Sequence, residues 1–264
     1  MIFIRLASAT LRAQARYRAS LLVDALSALA GNGLEFVALA LTFDRFGSLA
    51  GWSMGQVAFL WGLTEIAFGS MDMLFGGFDP AVFGQHIRRG TLDMYLLRPV
   101  NLIAQIFASD IMLRRLGRIA QGALVFAYAN HVLALAWTPA KLLYLPVVLV
   151  SAVLFYGALF IAGATASFWT VQGLEVVNVF TYGGTALNSY PLPIFDRWLR
   201  RFFTFVIPTA VVVYYPALYF FDLPDPLGLP GWVSFLAPAV GLGALGMSLL
   251  VFKWGLRHYT STGA

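Results

Sequence analysis

Long, nearly uninterrupted runs of apolar residues alternate with short polar segments along this chain. A helix that crosses a membrane needs about 20 predominantly apolar residues, and six runs come close to that length or exceed it. We therefore predict an all-α, polytopic membrane protein with six transmembrane helices. The predicted helices are Ser20–Phe43, Met54–Phe75, Leu116–Trp137, Leu142–Thr170, Leu174–Tyr190 and Trp232–Trp254. The first is expected to be interrupted at Gly31, Asn32 and Gly33.

The polar segments between these runs carry their own patterns. Arg5, Arg12 and Arg16 share one helical face, with apolar residues on another, so residues 1–19 are predicted to form an amphipathic helix on the membrane surface. Pro208 and Pro216 interrupt an apolar stretch between helices 5 and 6, which predicts broken helices there.

Composition supports a membrane protein over a soluble one. Hydrophobic residues make up 60% of the 264 positions and charged residues 11%, whereas a soluble domain has about 25% charged residues. No loop is long enough to form a second domain, so a soluble enzyme with a membrane anchor is excluded. The chain has no cysteine, which excludes disulfides and thiolate metal sites.

The positive charges indicate sidedness. Clusters of cations precede helix 1, lie between helices 2 and 3, and follow helix 6. Because cationic short loops mark the cytoplasmic side, both termini are predicted to be cytoplasmic. Contact with lipid headgroups explains these cations better than nucleic-acid binding, and no nucleic-acid partner is expected.

One cluster conflicts with that topology. Six crossings place Arg197, Arg200 and Arg201 on the outer side, against the positive-inside tendency. If they were cytoplasmic, Leu174–Tyr190 would have to be a re-entrant hairpin and Thr204–Phe221 the true crossing. Charge alone leaves both arrangements open.

Sequence motifs for nucleotide or metal chemistry are absent. The chain has no G-x-x-x-x-G-K-[ST] phosphate loop, no H-E-x-x-H metal motif and no G-x-S-x-G nucleophile motif. The sequence therefore predicts no catalytic residues, no metal site and no cofactor bound by this chain. A membrane-embedded transferase or protease is disfavoured for the same reason.

Helix 2 has a seven-residue repeat of small and acidic residues. Glycines recur every seven positions, and Glu65 and Asp72 share that spacing, so all six fall within an arc of about 100°. The stripe is either a packing seam whose carboxylates are neutralised by arginine or amide partners, or one wall of a transport path. Glu35 of helix 1 adds a third acid. The residues assigned to a substrate path or to helix packing are Glu35, Gly62, Glu65, Gly69 and Asp72.

The segment after helix 2 combines a basic turn with a short helix. Gly90 suits a left-handed turn, and Asp93 would lie in the first turn of the helix that follows. Leu92, Tyr95 and Leu96 would form its apolar face. Such a helix, flanked by arginines, can lie on lipid or dock in a groove of a partner.

This segment, R-R-G-T-L-D-M-Y-L-L-R-P-V-N, resembles the signature of a permease family of the type-2 ABC exporter class, G-x-L-D-x-x-L-x-R-P. The matching positions are Gly90, Leu92, Asp93, Leu96, Arg98 and Pro99. Tyr17 and Arg18 before helix 1, and the prolines between helices 5 and 6, resemble the same family in the same order.

The resemblance implies a six-helix half-transporter in the bacterial cytoplasmic (inner) membrane. It implies two partners besides the lipid bilayer: a second permease subunit, homologous or identical, and two copies of a separate ABC ATPase that binds ATP and Mg. The loop between helices 2 and 3 becomes a cytoplasmic coupling helix that contacts the ATPase. Its coupling residues are Arg88, Arg89, Gly90, Leu92, Asp93, Tyr95, Leu96, Arg98 and Pro99.

On this basis residues 1–264 form one transmembrane domain. Its expected parts are the interfacial helix (1–19), helices 1–2 (20–75), the coupling region (76–115), helices 3–5 (116–190), an outer re-entrant region (191–231), and helix 6 with a cytoplasmic tail (232–264). The expected function is ATP-driven export of a lipidic or amphiphilic substrate. The alternative is a stand-alone secondary transporter that couples to ions through Glu35, Glu65 and Asp72.

Overall fold

The computed structural model describes residues 8, 10–14, 16, 18–170, 174–225 and 227–260, and this part of the chain is helical. Its α-helices in chain order are α1 (Arg18–Phe46), α2 (Met54–Phe75), α3 (Pro80–Arg88), α4 (Thr91–Leu96), α5 (Leu102–Ser109), α6 (Leu116–Leu133), α7 (Pro139–Ala166), α8 (Leu174–Asn188), α9 (Arg197–Arg201), α10 (Thr209–Val212), α11 (Tyr214–Phe221) and α12 (Ala237–Arg257).

Four helical segments are long and apolar enough to cross a membrane: Ala19–Phe46, Met54–Arg88, Pro139–Ala166 and Ala237–Arg257. A fifth is counted if the bent pair between α8 and α12 is one span. Of the six predicted crossings, α6 and α8 are not among these spans. Helix α8 has only 15 residues. Helix α6 has 18 residues but is less apolar, because it includes Arg118, Gln121, Asn130 and His131. An all-helical membrane fold is confirmed, whereas the number of crossings stays a prediction.

Several helix boundaries differ from the prediction. The interruption of helix 1 was wrong: α1 continues through Gly31–Gly33, because a glycine weakens a helix by about 1 kcal/mol without preventing it. Helix 3 ends four residues early, at Leu133, where Ala134 adopts a left-handed conformation. Helix 6 begins late, at Ala237, after a 3₁₀ turn over Gly231–Phe235.

Helix α2 has the predicted bounds for a local reason. The Ser53 side chain accepts a hydrogen bond from the Gln56 backbone, and the Gln56 side chain accepts one from the Ser53 backbone. This reciprocal capping box satisfies two backbone donors that the helix start would leave unpaired.

Helix α2 is also the centre of the fold. It packs on α6 and α7, and α7 packs in turn on α12. In the 18-residue stretches that identify these spans, 78% of the residues are buried for the span that begins with α2, but only 11% for α1. Helix α1 contacts the rest of the protein mainly through α6. The two helices are close enough that a Cβ on Gly117 of α6 would lie 2.7 Å from the carbonyl oxygen of Ala25. Most of the α1 surface is therefore left for lipid or another subunit.

The N-terminal amphipathic helix lies mostly outside the described residues, including Arg5 and Tyr17. Residues 10–14 are helical. The Thr10 hydroxyl donates to the Ala108 carbonyl at 2.9 Å, and the Gln14 amide bonds to the Ile111 carbonyl and accepts from the Leu113 backbone. This turn is thus attached to the connection between α5 and α6.

The region between α8 and α12 is broken, as the prolines predict. A π-helical turn, Phe202–Val206, follows α9, and the chain then bends by 69° at Pro208 into α10 and α11. Asn188 supports the bend from α8, since its amide donates to the Thr209 carbonyl at 2.9 Å and to the Tyr156 hydroxyl at 2.7 Å.

Candidate functional site

The predicted short helix after α3 is present. Gly90 has a φ of +65°, a backbone conformation that glycine adopts without the steric cost of a Cβ. Helix α4 begins at the next residue and has Asp93 in its first turn. We name α3, Gly90, α4 and the residues up to Pro99 the coupling segment.

The base of the coupling segment is fixed in the core. Phe83, Ile87 and Leu92 are buried, and the Phe83 ring packs on Phe252 of α12. The His86 Nδ1 atom lies 2.9 Å from the Thr91 hydroxyl, which joins α3 to α4 across the glycine. The two short helices are therefore joined to each other by a side-chain hydrogen bond and to α12 by ring packing.

The tip of the coupling segment is exposed and apolar. Leu97 is 85% exposed, and the Arg98 guanidinium lies 5.5 Å from the centre of the Tyr95 ring. The predicted apolar face is divided: Leu92 is buried, Tyr95 is half-buried and Leu96 is exposed. Arg88, Arg89 and Pro99 are also exposed. The tip presents apolar and cationic groups together, which suits either contact with lipid or docking in a groove of a partner.

The chain returns to this segment after α12. Burial and the neighbouring Asp93 carboxylate raise the pKa of Tyr259 above its ordinary value. Tyr259 also packs on Phe168, which follows α7. The residues after α12 thus help to hold α4 in place.

Each carboxylate of the α2 stripe pairs with an arginine at the start of α6: Arg118 lies in its first turn and Arg115 immediately precedes it. Glu65 accepts two hydrogen bonds from Arg118, at 2.5 Å from Nε and 2.7 Å from Nη2. The Arg118 guanidinium also lies 4.5 Å above the Phe68 ring. Asp72 lies 2.7 Å from Nε of Arg115 and is 1% exposed. The Glu65 charge is thus compensated by an opposite charge and two hydrogen bonds, whereas Asp72 is compensated by the charge of Arg115 alone, because neither of its oxygens has a hydrogen-bond partner among the described residues.

The glycines of the stripe allow this pairing because they let α2 and α6 touch. A Cβ on Gly62 would lie 2.7 Å from the backbone nitrogen of Phe126. One on Gly69 would lie 2.9 Å from the Ile119 side chain, and one on Gly122 would lie 2.9 Å from the Glu65 Cβ. The stripe has the geometry of a packing seam between two helices.

Glu65 also borders a cavity of about 400 Å³ between α1, α2 and α8. Glu35 and Arg118 line it as well, together with Tyr182 and Ser189. Asp72 is not among its lining residues. The structure therefore brings Glu35 and Glu65 to one cavity, whereas Asp72 lies deeper in the seam.

Sequence reasoning did not identify three cations. Arg115 and Arg118 are the partners of the α2 acids, and their spacing of three along a helix was the available signal. Lys141 is 6% exposed; its Nζ donates to the Phe220 carbonyl at 3.0 Å and to Asp222 at 2.7 Å. A lone lysine at a predicted helix start gives no indication of such burial.

We predict that Lys141→Met lowers the free energy of unfolding by about 1–3 kcal/mol, because the buried Phe220 carbonyl is left without its donor. The thermal midpoint of the purified chain in detergent measures this loss. Lys253→Met is the matched control, since Lys253 is exposed on α12. An equal midpoint for the two variants would contradict the prediction.

No group of three or more His, Asp or Glu side chains that could hold a metal ion occurs within the described residues.

Comparison with known proteins gives one match. The family model of the ABC-2 family transporter proteins matches residues 29–263, which include the coupling segment, the α2–α6 seam and the bent region. No curated protein and no solved structure matches the chain.

Proposed function

This chain belongs to the ABC-2 family of transporter proteins, and from that membership we propose that it is the subunit through which an ATP-driven exporter moves a lipidic or amphiphilic substrate. The family establishes a multi-pass membrane permease that functions with an ABC ATPase. Our proposal adds the direction of transport, two copies of the ATPase and a second permease subunit. ATP and Mg would bind to the ATPase.

The observation that carries the proposal is the coupling segment. Its exposed tip, with Leu97 and Arg98, stands on a base buried in the core. Helix α3 follows α2 after one 3₁₀ turn, Gly76–Phe78. A displacement of the tip by the ATPase would be transmitted from α4 through α3 to α2, and from α2 to the seam with α6.

We therefore propose the following cycle. ATP binding closes the ATPase dimer, the closing dimer moves α4, and the substrate path opens to the outer side. Arg88, Arg89 and Arg98 would contact acidic groups of the ATPase, and Leu97 would enter an apolar groove. Gly90 and Pro99 would fix the two ends of the moving helix.

The double variant Asp93→Ala/Arg98→Ala is expected to reduce assembly with the ATPase or to abolish transport-coupled ATP hydrolysis. It removes Arg98 from the proposed contact, and it removes the Asp93 carboxylate that lies beside Tyr259 and helps to position α4. The measurement is co-purification of the ATPase, followed by substrate-stimulated ATP hydrolysis in nanodiscs.

The matched control is Lys253→Ala/Arg257→Ala, which removes two exposed charges near the end of α12. We expect that control to retain coupling. Unaltered coupling in the Asp93→Ala/Arg98→Ala variant would count against the assignment.

A lipidic or amphiphilic cargo is supported by the cavity between α1, α2 and α8. Leu39, Trp61 and Ala186 give it apolar walls, and Glu35 and the Glu65–Arg118 pair give it a polar side. A molecule with one apolar and one polar part matches such a lining.

A stand-alone secondary transporter is not favoured by the geometry. Proton or ion coupling needs acids that change their charge or their ligands, but Glu65 and Asp72 each form an ion pair with an arginine. Of the three acids in that alternative, Glu35 makes no ion pair among the described residues.

We place the protein in a bacterial cytoplasmic membrane with both termini inside. The cations before α1 and in the coupling segment support this orientation. Arg197, Arg200 and Arg201 of α9 are then on the outer side, next to the bend at Pro208.

A further inference from the structure

Three adjoining cavities lie along one face of α1. The first is lined by Ser20 and Asp24, the second by Asp24 and Asn32, and the third by Glu35 and Thr42. Their volumes are about 380, 470 and 400 Å³. Asp24 lines the first two, and Arg118 of α6 lines the last two. We call this row of adjoining cavities the α1 groove.

The α1 side of the groove carries polar residues from one end to the other, with apolar residues between them. Its lining positions follow the i, i+3, i+4, i+7 spacing of one helical face. The polar ones are Ser20, Asp24, Ser27, Asn32, Glu35 and Thr42, and the apolar ones include Leu21, Ala28 and Leu39. At 1.5 Å per residue, Ser20 and Thr42 lie about 33 Å apart, close to the 30 Å or so of a bilayer hydrocarbon core.

The opposite face of α1 is apolar. Leu22, Leu26 and Leu34 are 63–70% exposed. Polar side chains are costly in contact with lipid tails, so the apolar face is the one that contacts the membrane. Asp24, Ser27 and Glu35 are exposed and lie beside the contact between Ala25 and Gly117 of α6. The groove is therefore a polar strip that borders the α1–α6 contact and is open along its side.

Three arginines line the middle cavity. Arg115 pairs with Asp72 through Nε, and Arg118 pairs with Glu65 through Nε and Nη2. Terminal guanidinium donors of both remain available to the cavity. Arg114 donates to the Met112 sulfur at 3.4 Å and forms no ion pair among the described residues.

Acidic groups near Arg114 are few. Asp24 shares the cavity and Asp110 borders the neighbouring one. Neither approaches an arginine within ion-pair distance among the described residues. The middle cavity therefore holds clustered guanidinium donors together with one acidic side chain.

Guanidinium groups recognise phosphate through parallel, charge-assisted hydrogen bonds. We propose that the α1 groove binds the phosphate-bearing headgroup of an amphiphile, with Arg114 as the principal cation and the apolar chains left in the membrane beside α1. Asp24, which lines the same cavity as Arg114, accepts hydrogen bonds from hydroxyl or ammonium groups of the same headgroup. This assignment rests on the proposed export function and specifies its substrate class.

The binding test uses the assembled transporter in detergent and three probes: dioctanoyl phosphatidylglycerol, dioctanoylglycerol and glycerol 3-phosphate. We expect the phospholipid to bind well and the other two to bind weakly, because each lacks one half of the amphiphile. Arg114→Gln should weaken phospholipid binding about tenfold to a hundredfold, the effect of losing one charged hydrogen bond. Arg257→Gln, an exposed arginine at the end of α12, should leave it unchanged.

Three results would overturn the proposal. Equal binding of glycerol 3-phosphate would assign the groove to a soluble anion, and equal binding of dioctanoylglycerol would remove the role of the phosphate. Wild-type affinity in Arg114→Gln would remove the role of the arginine.

A second test does not depend on the stability of the Arg114 variant. Because the chain has no cysteine, Ser27→Cys and Leu26→Cys can each be labelled alone with a charged thiol reagent. We expect fast labelling at position 27, slowed by phosphatidylglycerol, and slow labelling at position 26. Equal labelling rates, no protection by lipid, or a disulfide between two copies through position 27 would each overturn the proposal, the last by showing that a second copy fills the groove.

The two proposals fail separately. If Asp93→Ala/Arg98→Ala leaves coupling intact, the coupling assignment fails whatever the groove binds. If that variant is uncoupled but Arg114→Gln binds phospholipid normally, only the groove assignment fails.

Discussion

Replacing Arg118 with alanine is expected to lower the free energy of unfolding by about 3 kcal/mol or more. The change leaves the Glu65 carboxylate, which is 4% exposed, without the two hydrogen bonds that compensate its charge. Removing one partner of a buried ion pair costs about 3–5 kcal/mol, because the remaining charge is stranded in a low-dielectric site. The measurement is the unfolding midpoint of the purified chain in detergent.

The double variant Glu65→Leu/Arg118→Met separates the two contributions to the free energy of unfolding: the cost of an unpaired buried charge and the net contribution of the ion pair. We expect it to recover most of the stability, since apolar side chains of similar volume often replace a buried pair without loss. Arg45→Ala is the control for losing an exposed arginine and should change little. If Arg118→Ala were as stable as Arg45→Ala, the pair would have no structural role.

Adding a single methyl group at Gly62 is expected to disrupt the seam between α2 and α6. The new Cβ in Gly62→Ala would lie 2.7 Å from the Phe126 nitrogen and 2.8 Å from the Gly122 carbonyl oxygen. These are backbone atoms, so the clash is relieved only if the helices separate. Overpacking of this kind costs about 1–3 kcal/mol, and separation of the helices would also lengthen the Glu65–Arg118 contact.

Gly31→Ala is the matched control, because it makes the same change in another long helix. Nothing lies within 4 Å of a Cβ at Gly31, so alanine there should stabilise α1 by up to about 1 kcal/mol through its higher helix propensity. The two variants are expected to shift the unfolding midpoint in opposite directions. A shift of the same sign in both would contradict the close approach at Gly62.

Local sequence patterns were enough to predict the backbone of the coupling segment. Gly90 marks a left-handed turn and Asp93 falls in the first turn of α4, because backbone conformation and capping depend on a few neighbouring residues. The sequence could not predict which apolar residues of α4 are buried. Leu92 is buried and Leu97 is exposed because of where neighbouring helices pack against the segment.

Two helix boundaries did not follow the local sequence pattern. The Gly31–Gly33 segment was expected to break helix 1, but α1 is continuous there. Helix 3 was expected to reach Trp137; instead the helix ends at Leu133, and the Trp137 indole donates to the Asn130 side chain at 3.0 Å. Glycine content gives only a weak preference against helix, and it does not decide the outcome in a long apolar run.

The sequence by itself determined the all-helical membrane fold, the bounds of α2, the seven-residue stripe and the coupling segment, because each depends on periodicity or on residues a few positions apart. Only the tertiary structure decided what the stripe contacts. Glu65 and Asp72 pair with Arg118 and Arg115, 53 and 43 positions away along the chain. The polar residues of α1 line a groove only because Arg114, Arg115 and Arg118 lie beside them. Such pairings depend on which helices pack together, and periodicity within one helix carries no information about its neighbour.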